Sequence, residues 1–316
     1  MLTNALLVAI IVNVLASTIR MSTPLLTAAV GELVTEKSGV MNLGVEGTML
    51  MGAWMGFLVA FKTNSLVLAI LGAMATGAGM GLIMVFMAWT LKVDQTVTGL
   101  ALNLFAAGAS YFWYQVQFAS FGRSASDLPT IQILDNLKIP VLGSLPVVGE
   151  VFFDQKVLTY IAFLLVPAVW YFLYRTKYGL RIRAAGENPR AVDMKGLSVG
   201  QLQYAAVIFG GMLAGLAGAF LTVGSSNRFV QNISAGRGWL AIVIVIAGNW
   251  TPGRILLATL VFAFLDALQL QLQGIGIQVP YEILLALPYL LAIVALAVSR
   301  TRALAPAWLG SPYERE

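Results

Sequence analysis

The stretch of this chain that comes nearest to a nucleotide-binding signature is GELVTEKS, Gly31 to Ser38, one residue away from a P-loop. Such a loop works because glycine lets backbone N–H groups close on phosphate oxygens after a strand. Here Glu36 stands where that glycine is needed and sets a carboxylate against the anion. The segment follows no predicted strand, so ATP binding is not expected of this chain. The sequence also has no cysteine and no histidine. Without them there are no disulfides, thiolate or imidazole metal ligands, thiol nucleophiles or Ser-His pairs. No catalytic residue, metal or cofactor is assigned.

What remains is a set of polar side chains inside apolar sequence. Asp266 in LVFAFLDALQLQLQ is followed by Gln269 at i+3 and Gln273 at i+7. Asn42 and Glu46 share a helix face at i, i+4, Asn103 sits in GLALNLF, and Glu32 lies in TPLLTAAVGELV. A carboxylate at a bilayer centre costs about 2.5 to 3.5 kcal/mol on insertion scales, so such groups are expected to face a cavity. Asn42, Glu46, Asn103, Asp266 and Gln269 are therefore candidate pathway residues for a small polar solute. Isolated structural polar pairs are the alternative.

The elements that must position these groups are membrane helices. Of 316 residues, 59% are hydrophobic and 10% charged, against about 25% charged in a soluble domain. Mean hydropathy is +0.84. Spanning helices are predicted at 2–19, 40–61, 66–91, 95–113, 157–174, 201–223, 255–273 and 282–298. Residues 23–34 and 238–248 supply only about 17 Å each, too little for a core of about 30 Å. Each precedes a Gly-bearing turn, TEKSGVMNLG or NWTPGR. They are read as broken or re-entrant segments of an internal repeat, or else as short helices packed by neighbours. The expected fold is an all-α polytopic bundle of about nine or ten segments, one membrane domain over 1–316. Small residues at i, i+4, such as Gly77/Gly81 and Gly211/Gly215, read as helix-packing faces. The first apolar run lacks a basic leader and is read as a retained helix.

Loop charge sets the orientation. Residues 175–195 carry six Lys or Arg against two acids and are placed in the cytoplasm within a 175–200 loop, whereas 114–156 has three basic and four acidic residues and is placed outside. This reading puts the C-terminus in the cytoplasm and explains the net charge of +5 without nucleic acid as a partner. Inside the cytoplasmic loop, Asn188-Pro189 and Gly196 are helix start and stop signals. The enclosed PRAVDMK displays Arg190, Asp193 and Lys195 beside Ala191, Val192 and Met194. It is sized to dock into a groove of another protein; a solvated loop or a helix on lipid headgroups are the alternatives.

Several blocks resemble the permeases of the branched-chain amino acid and simple-sugar ABC import class, nucleoside-type branch. These are TPLLTAAVGELVTEKSGVMNLGVEGTMLMGA, VTGLALNLFAAG, YGLRIRAAGENPRAVDMKGL, AGLAGAFLTVG, AGRGWLAIVIVIAGNWTP and PYLLAIVALAV, together covering nearly the whole chain. The resemblance implies a type II importer-like fold in a bacterial cytoplasmic membrane. It implies two permeases, identical or paralogous, two ATP-binding cassette subunits and an extracytoplasmic solute-binding lipoprotein. In this likeness Glu187, Asn188, Pro189, Arg190, Ala191, Asp193, Lys195 and Gly196 form the coupling helix that transmits ATPase closure. Nucleosides are the expected solute, with a ribose-like sugar as the alternative, and ion-coupled secondary transport through Asp266 or Glu46 ranks behind both. Thr48 and Asn249 depart from the pattern, where an apolar and a basic residue are expected.

Overall fold

The computed structural model describes residues 2–118, 129–140, 143, 147–274, 286, 290–294, 297 and 305–313. The first element, α1 (Leu2–Lys37), is continuous across the expected gap and contains Pro24. The separate short segment expected at 23–34 is thus the second half of a 36-residue helix. Proline removes the donor to the Arg20 carbonyl, but hydroxyls reinforce the turn around it. Ser22 and Thr23 donate to the Ile19 carbonyl at 2.7 and 3.3 Å, and Thr27 donates to that of Thr23 at 2.7 Å. Burial then favours continuing the helix: Leu25, Leu26, Ala28, Ala29, Val30 and Leu33 all lie in the core.

The break falls within the expected Gly-bearing turn TEKSGVMNLG. Residues 38–44 are non-helical, and α2 (Val45–Thr63) begins five residues after the predicted start at 40. Next come α3 (Leu66–Val85), prolonged by a π-helical turn at Phe86–Thr90, and α4 (Gln95–Phe118). The strands β1 (Asn136–Lys138) and β2 (Asp154–Lys156) pair antiparallel, with Asn136 opposite Lys156. This hairpin sits over one end of the bundle. The Ile131 and Leu134 N–H groups donate to the Asn227 and Val223 carbonyls, each at 2.9 Å.

From β2, α5 (Val157–Arg175) crosses to the other end, where α6 (Lys177–Glu187) and α7 (Pro189–Met194) lie. The return is α8 (Val199–Ala219) with a π-helical extension at Phe220–Ser226. The short α9 (Arg237–Ala247) and the long α10 (Pro252–Gly274) follow. Five helices among the described residues are long and apolar enough to span a membrane, and α9 is an apolar helix too short to do so. The helix expected at 282–298 lies largely outside the described residues.

At the centre, α8 packs against α1, α2 and α3. Its span is 83% buried, against 28% for α3, whose outer face exposes Leu68, Leu71, Leu82 and Ile83. Because lipid is as apolar as a leucine core, helices associate there through close van der Waals contact, and small residues permit it. A methyl group at Gly52 would lie 2.5 Å from the Gly215 carbonyl oxygen and 2.6 Å from its Cα. One at Gly77 would meet the Gly211 carbonyl and the Gly215 backbone, whereas Gly79, two residues on, has open space beside it.

Gly77→Ala is therefore expected to lower the thermal midpoint of the detergent-purified protein. Gly79→Ala, gaining helix propensity worth up to ~1 kcal/mol, leaves it unchanged or raised. Equal midpoints for the two variants would remove the α3–α8 contact as the source of cohesion.

Candidate functional site

Two places concentrate polar groups, and the first is the break after α1. Gly39, at φ +93, adopts a left-handed turn that glycine accepts without strain. It sends the chain back along α1 as a buried, non-helical segment. Backbone groups left unpaired in a bilayer cost several kcal/mol each, and distant side chains pair these ones. The Met41 N–H donates to the Gln95 side-chain oxygen at 2.7 Å, and the Asn42 N–H donates to the Glu32 carboxylate at 3.1 Å. The Asn42 side chain accepts from the Gly44 N–H at 3.0 Å. Asn103 donates to the Leu43 carbonyl at 2.8 Å and accepts from the Gly47 N–H at 2.7 Å. Gln203, on α8, donates to the Ser38 carbonyl at 3.1 Å.

The segment before α9 mirrors this arrangement. After the π-helical extension of α8, residues 227–236 turn back into the bundle, anchored by Phe229 against Trp54 at a 5.3 Å centroid distance. Gly236, at φ +81, precedes the first residue of α9. Glu46, in the first turn of α2, accepts from the N–H groups of Gly236 and Gly238 at 2.8 and 2.6 Å. One carboxylate therefore joins the amino ends of α2 and α9 and offsets their positive helix dipoles. At the far end of α9, the Trp250 indole N–H donates to the Glu36 carboxylate. The residue that spoils the P-loop pattern is thus a buried acceptor inside the bundle.

The second place is the end that carries α6 and α7. Asn188 caps α7, accepting from the Ala191 N–H at 3.1 Å, and Pro189 occupies the first turn. Gly196, at φ +73, follows its end. Val192 is buried with Ala185 and Val199, which fixes the inner face. Met194, 83% exposed, and the exposed Arg190 and Lys195 form the outer face. Residues 305–313 run across this end as a strap. The Ala307 N–H donates to the Glu187 carboxylate at 3.2 Å, and the Trp308 N–H donates to the Gly186 carbonyl at 2.9 Å. The Gly310 N–H donates to the Gly39 carbonyl at 3.0 Å. Tyr313 stacks on Trp89 and donates to the Asp193 carboxylate at 3.1 Å.

Residues 14–296 match the family model described as the permease component of the branched-chain amino acid transport system. The chain belongs to this family. Among relatives of this permease, a protein of Haloferax volcanii named as a putative glucose ABC transporter permease is 35% identical, over 96% of this chain and 98% of the relative. A guanosine ABC transporter permease of Bacillus subtilis is 34% identical over 97% and 98%, and a nucleoside ABC transporter permease of Lactococcus lactis is 30% identical over 95% and 96%. No solved structure matches the chain.

Of the five expected pathway residues, the fold brings Asn42, Glu46 and Asn103 together around the two broken segments, where each bonds to backbone. Asp266 and Gln269 lie apart from them on α10. Asp266 is within electrostatic range of Arg237, the first residue of α9, and Gln269 is buried. The permease uses further residues that sequence reasoning missed: Glu36, Gln95, Gln203, Trp250 and Tyr313. The pairing of Glu32 with Glu36 at i, i+4 in an apolar helix was a readable signal for the first. The N–H groups of Gly236 and Gly238 carry no side-chain signature. Among the described residues no cluster of carboxylates could hold a metal ion.

Glu46→Ala leaves two part-buried N–H groups without this acceptor, at up to ~1–3 kcal/mol each, so a drop in the melting midpoint of the purified permease is expected. Glu46→Gln retains one accepting oxygen and is expected to fall between that variant and the parent. A midpoint for Glu46→Ala equal to the parent's would mean that the α2–α9 junction is held by packing alone.

Proposed function

We propose that this chain is one membrane-spanning subunit of an ATP-binding cassette importer that moves nucleosides by alternating access. The observation that carries the reading is similarity over almost the whole chain to two permeases named for guanosine and nucleoside transport. A glucose substrate is the second reading, favoured by the 35% identical relative. In either case the partners are two ATP-binding subunits, a second permease and an extracytoplasmic solute-binding lipoprotein, assembled in the bacterial cytoplasmic membrane. ATP is hydrolysed by the partners and no covalent step occurs in this chain.

The α6–α7 end and the strap face the cytoplasm in this reading, in line with the six basic residues of 175–195. Residues Glu187 to Gly196 form the piece that enters a groove of the ATPase, with Met194 supplying apolar contact and Arg190 and Lys195 the charge. The solute passes between the two permeases along faces that include the broken segments. Asn42, Glu46 and Asn103 hold that backbone in place, and Asp266 and Gln269 supply polar side chains on α10.

Proteoliposomes holding the full assembly are expected to take up labelled guanosine only with ATP, and a glucose arm separates the two substrate readings. Each Gly costs the helix at Pro189–Met194 ~1 kcal/mol, so the pair Arg190→Gly with Ala191→Gly lowers its formed-to-unformed ratio by roughly 30-fold. ATP-driven uptake then falls in parallel while the delivery protein still binds solute. Uptake that follows a proton gradient and ignores ATP would sink the importer reading.

A further inference from the structure

At the hairpin end, a cavity of about 390 Å³ opens between α1, the hairpin and the segment around the start of α9. Three cations line it, each from a different element: Arg20 from α1, Lys156 from β2 and Arg237 from α9. Ser17, Asn136 and Ser225 add neutral polar groups, and among the described lining residues there is no carboxylate. A pocket of this size accommodates a small ligand.

Among the described residues, the three cations donate to neutral partners. The Lys156 ammonium donates to the Leu134 carbonyl at 2.7 Å, Arg20 to the Ser17 hydroxyl at 3.3 Å, and Arg237 to the Ser234 carbonyl at 3.3 Å. An ammonium has three donors and a guanidinium five, more than the single bond named for each cation engages. Asp135 acts on Lys156 and Asp266 on Arg237 without forming an ion pair, and the Glu46 carboxylate is engaged by the Gly236 and Gly238 N–H groups that flank Arg237. Lys156 is only 8% exposed. Burial, and then the charge of Arg20, push its ammonium below the ordinary lysine range, against the pull of Asp135. Like charges gathered without an ion-paired counter-charge favour an anion that can come close. Beside them Pro24, also in the wall, deprives the Arg20 carbonyl of its helical donor, so an acceptor stands next to the cationic donors.

We propose that this cavity binds a phosphate group, held by Arg20, Lys156 and Arg237. Phosphate suits the wall because its several charged oxygens can engage more than one cation together. Hydroxyls attached to it, as in a glycerol headgroup, can donate to the Arg20 carbonyl. An anionic lipid headgroup and free inorganic phosphate share this chemistry. The site lies at the opposite end from α7, and its occupancy does not depend on which solute is transported.

The test uses the purified full-length permease in neutral detergent and follows the melting midpoint as inorganic phosphate or phosphatidylglycerol is added, with phosphatidylcholine as the uncharged comparison. Native mass spectrometry counts bound phosphate or lipid. A midpoint raised by phosphatidylglycerol but not by phosphatidylcholine, and lost in Arg20→Gln and in Arg20→Gln with Lys156→Gln, supports the site with lipid as its source. The same pattern with inorganic phosphate supports it with the free ion. Arg20 is exposed, so the single variant remains informative if removing the buried Lys156 prevents folding. Lys138→Gln, which removes a surface cation 75% exposed and 3.5 Å from Asp154, is expected to keep the full response. No shift with either ligand, or a shift that persists in Arg20→Gln or vanishes equally in Lys138→Gln, overturns the proposal.

Discussion

Inside a bilayer, backbone that leaves the helix must be paired by the protein itself, and the rest of this permease is organised around meeting that demand at two breaks. The decisive contact is the Glu46 carboxylate receiving the Gly236 and Gly238 N–H groups at 2.8 and 2.6 Å. It lets two helices begin in the middle of the bundle, amino end to amino end, where their dipoles would otherwise repel. Each break also draws on neighbours. Glu32, Gln95, Asn103 and Gln203 reach in from α1, α4 and α8, so these helices cannot shift without releasing buried donors.

Close packing makes those reaches geometrically feasible. With Gly52 and Gly77 meeting the backbone of Gly211 and Gly215 on α8, the surrounding helices approach α8 nearly backbone to backbone. A short side chain such as Asn103 then suffices to bridge between segments. A bulkier α8 would push the helices apart by more than the slack of a hydrogen bond. The small-residue pattern and the polar pairs are thus two parts of one arrangement.

Features set by local chemistry were legible in the sequence. The Asn188-Pro189 start and Gly196 stop delimit α7 because caps act within one turn, and GWLAIVIVIAG is too short to span whatever surrounds it. Features set by distant partners were not. Residues 20–22 read as a gap between two segments, yet the burial of Leu25 through Leu33 and the Thr23 bond to Thr159 at 3.0 Å keep α1 intact. Residues 40–44 read both as part of the Gly-bearing turn TEKSGVMNLG and as the start of the helix at 40–61. Their unwinding depends on Glu32, Gln95 and Asn103, which lie 10, 54 and 60 residues away from the groups they bind. No local pattern encodes such pairings.

The two polar places are not independent. Gly39 both turns the chain into the first break and accepts from the Gly310 N–H of the strap, while the same strap bonds Gly186, Glu187 and, through Tyr313, Asp193. Hydrogen bonds of 3.2 Å or less therefore connect α7 to Gly39. From Gly39, seven residues of buried, bonded chain lead to Glu46 and the start of α9. Packed interfaces respond to small shifts by switching between discrete arrangements, not by bending continuously. A junction held by one carboxylate between two helix ends is suited to that, because it can part as a unit while each half-helix keeps its own internal bonds. The strap, the turn at Gly39 and Glu46 together form one contiguous physical route between the surface helix and the broken centre of the bundle.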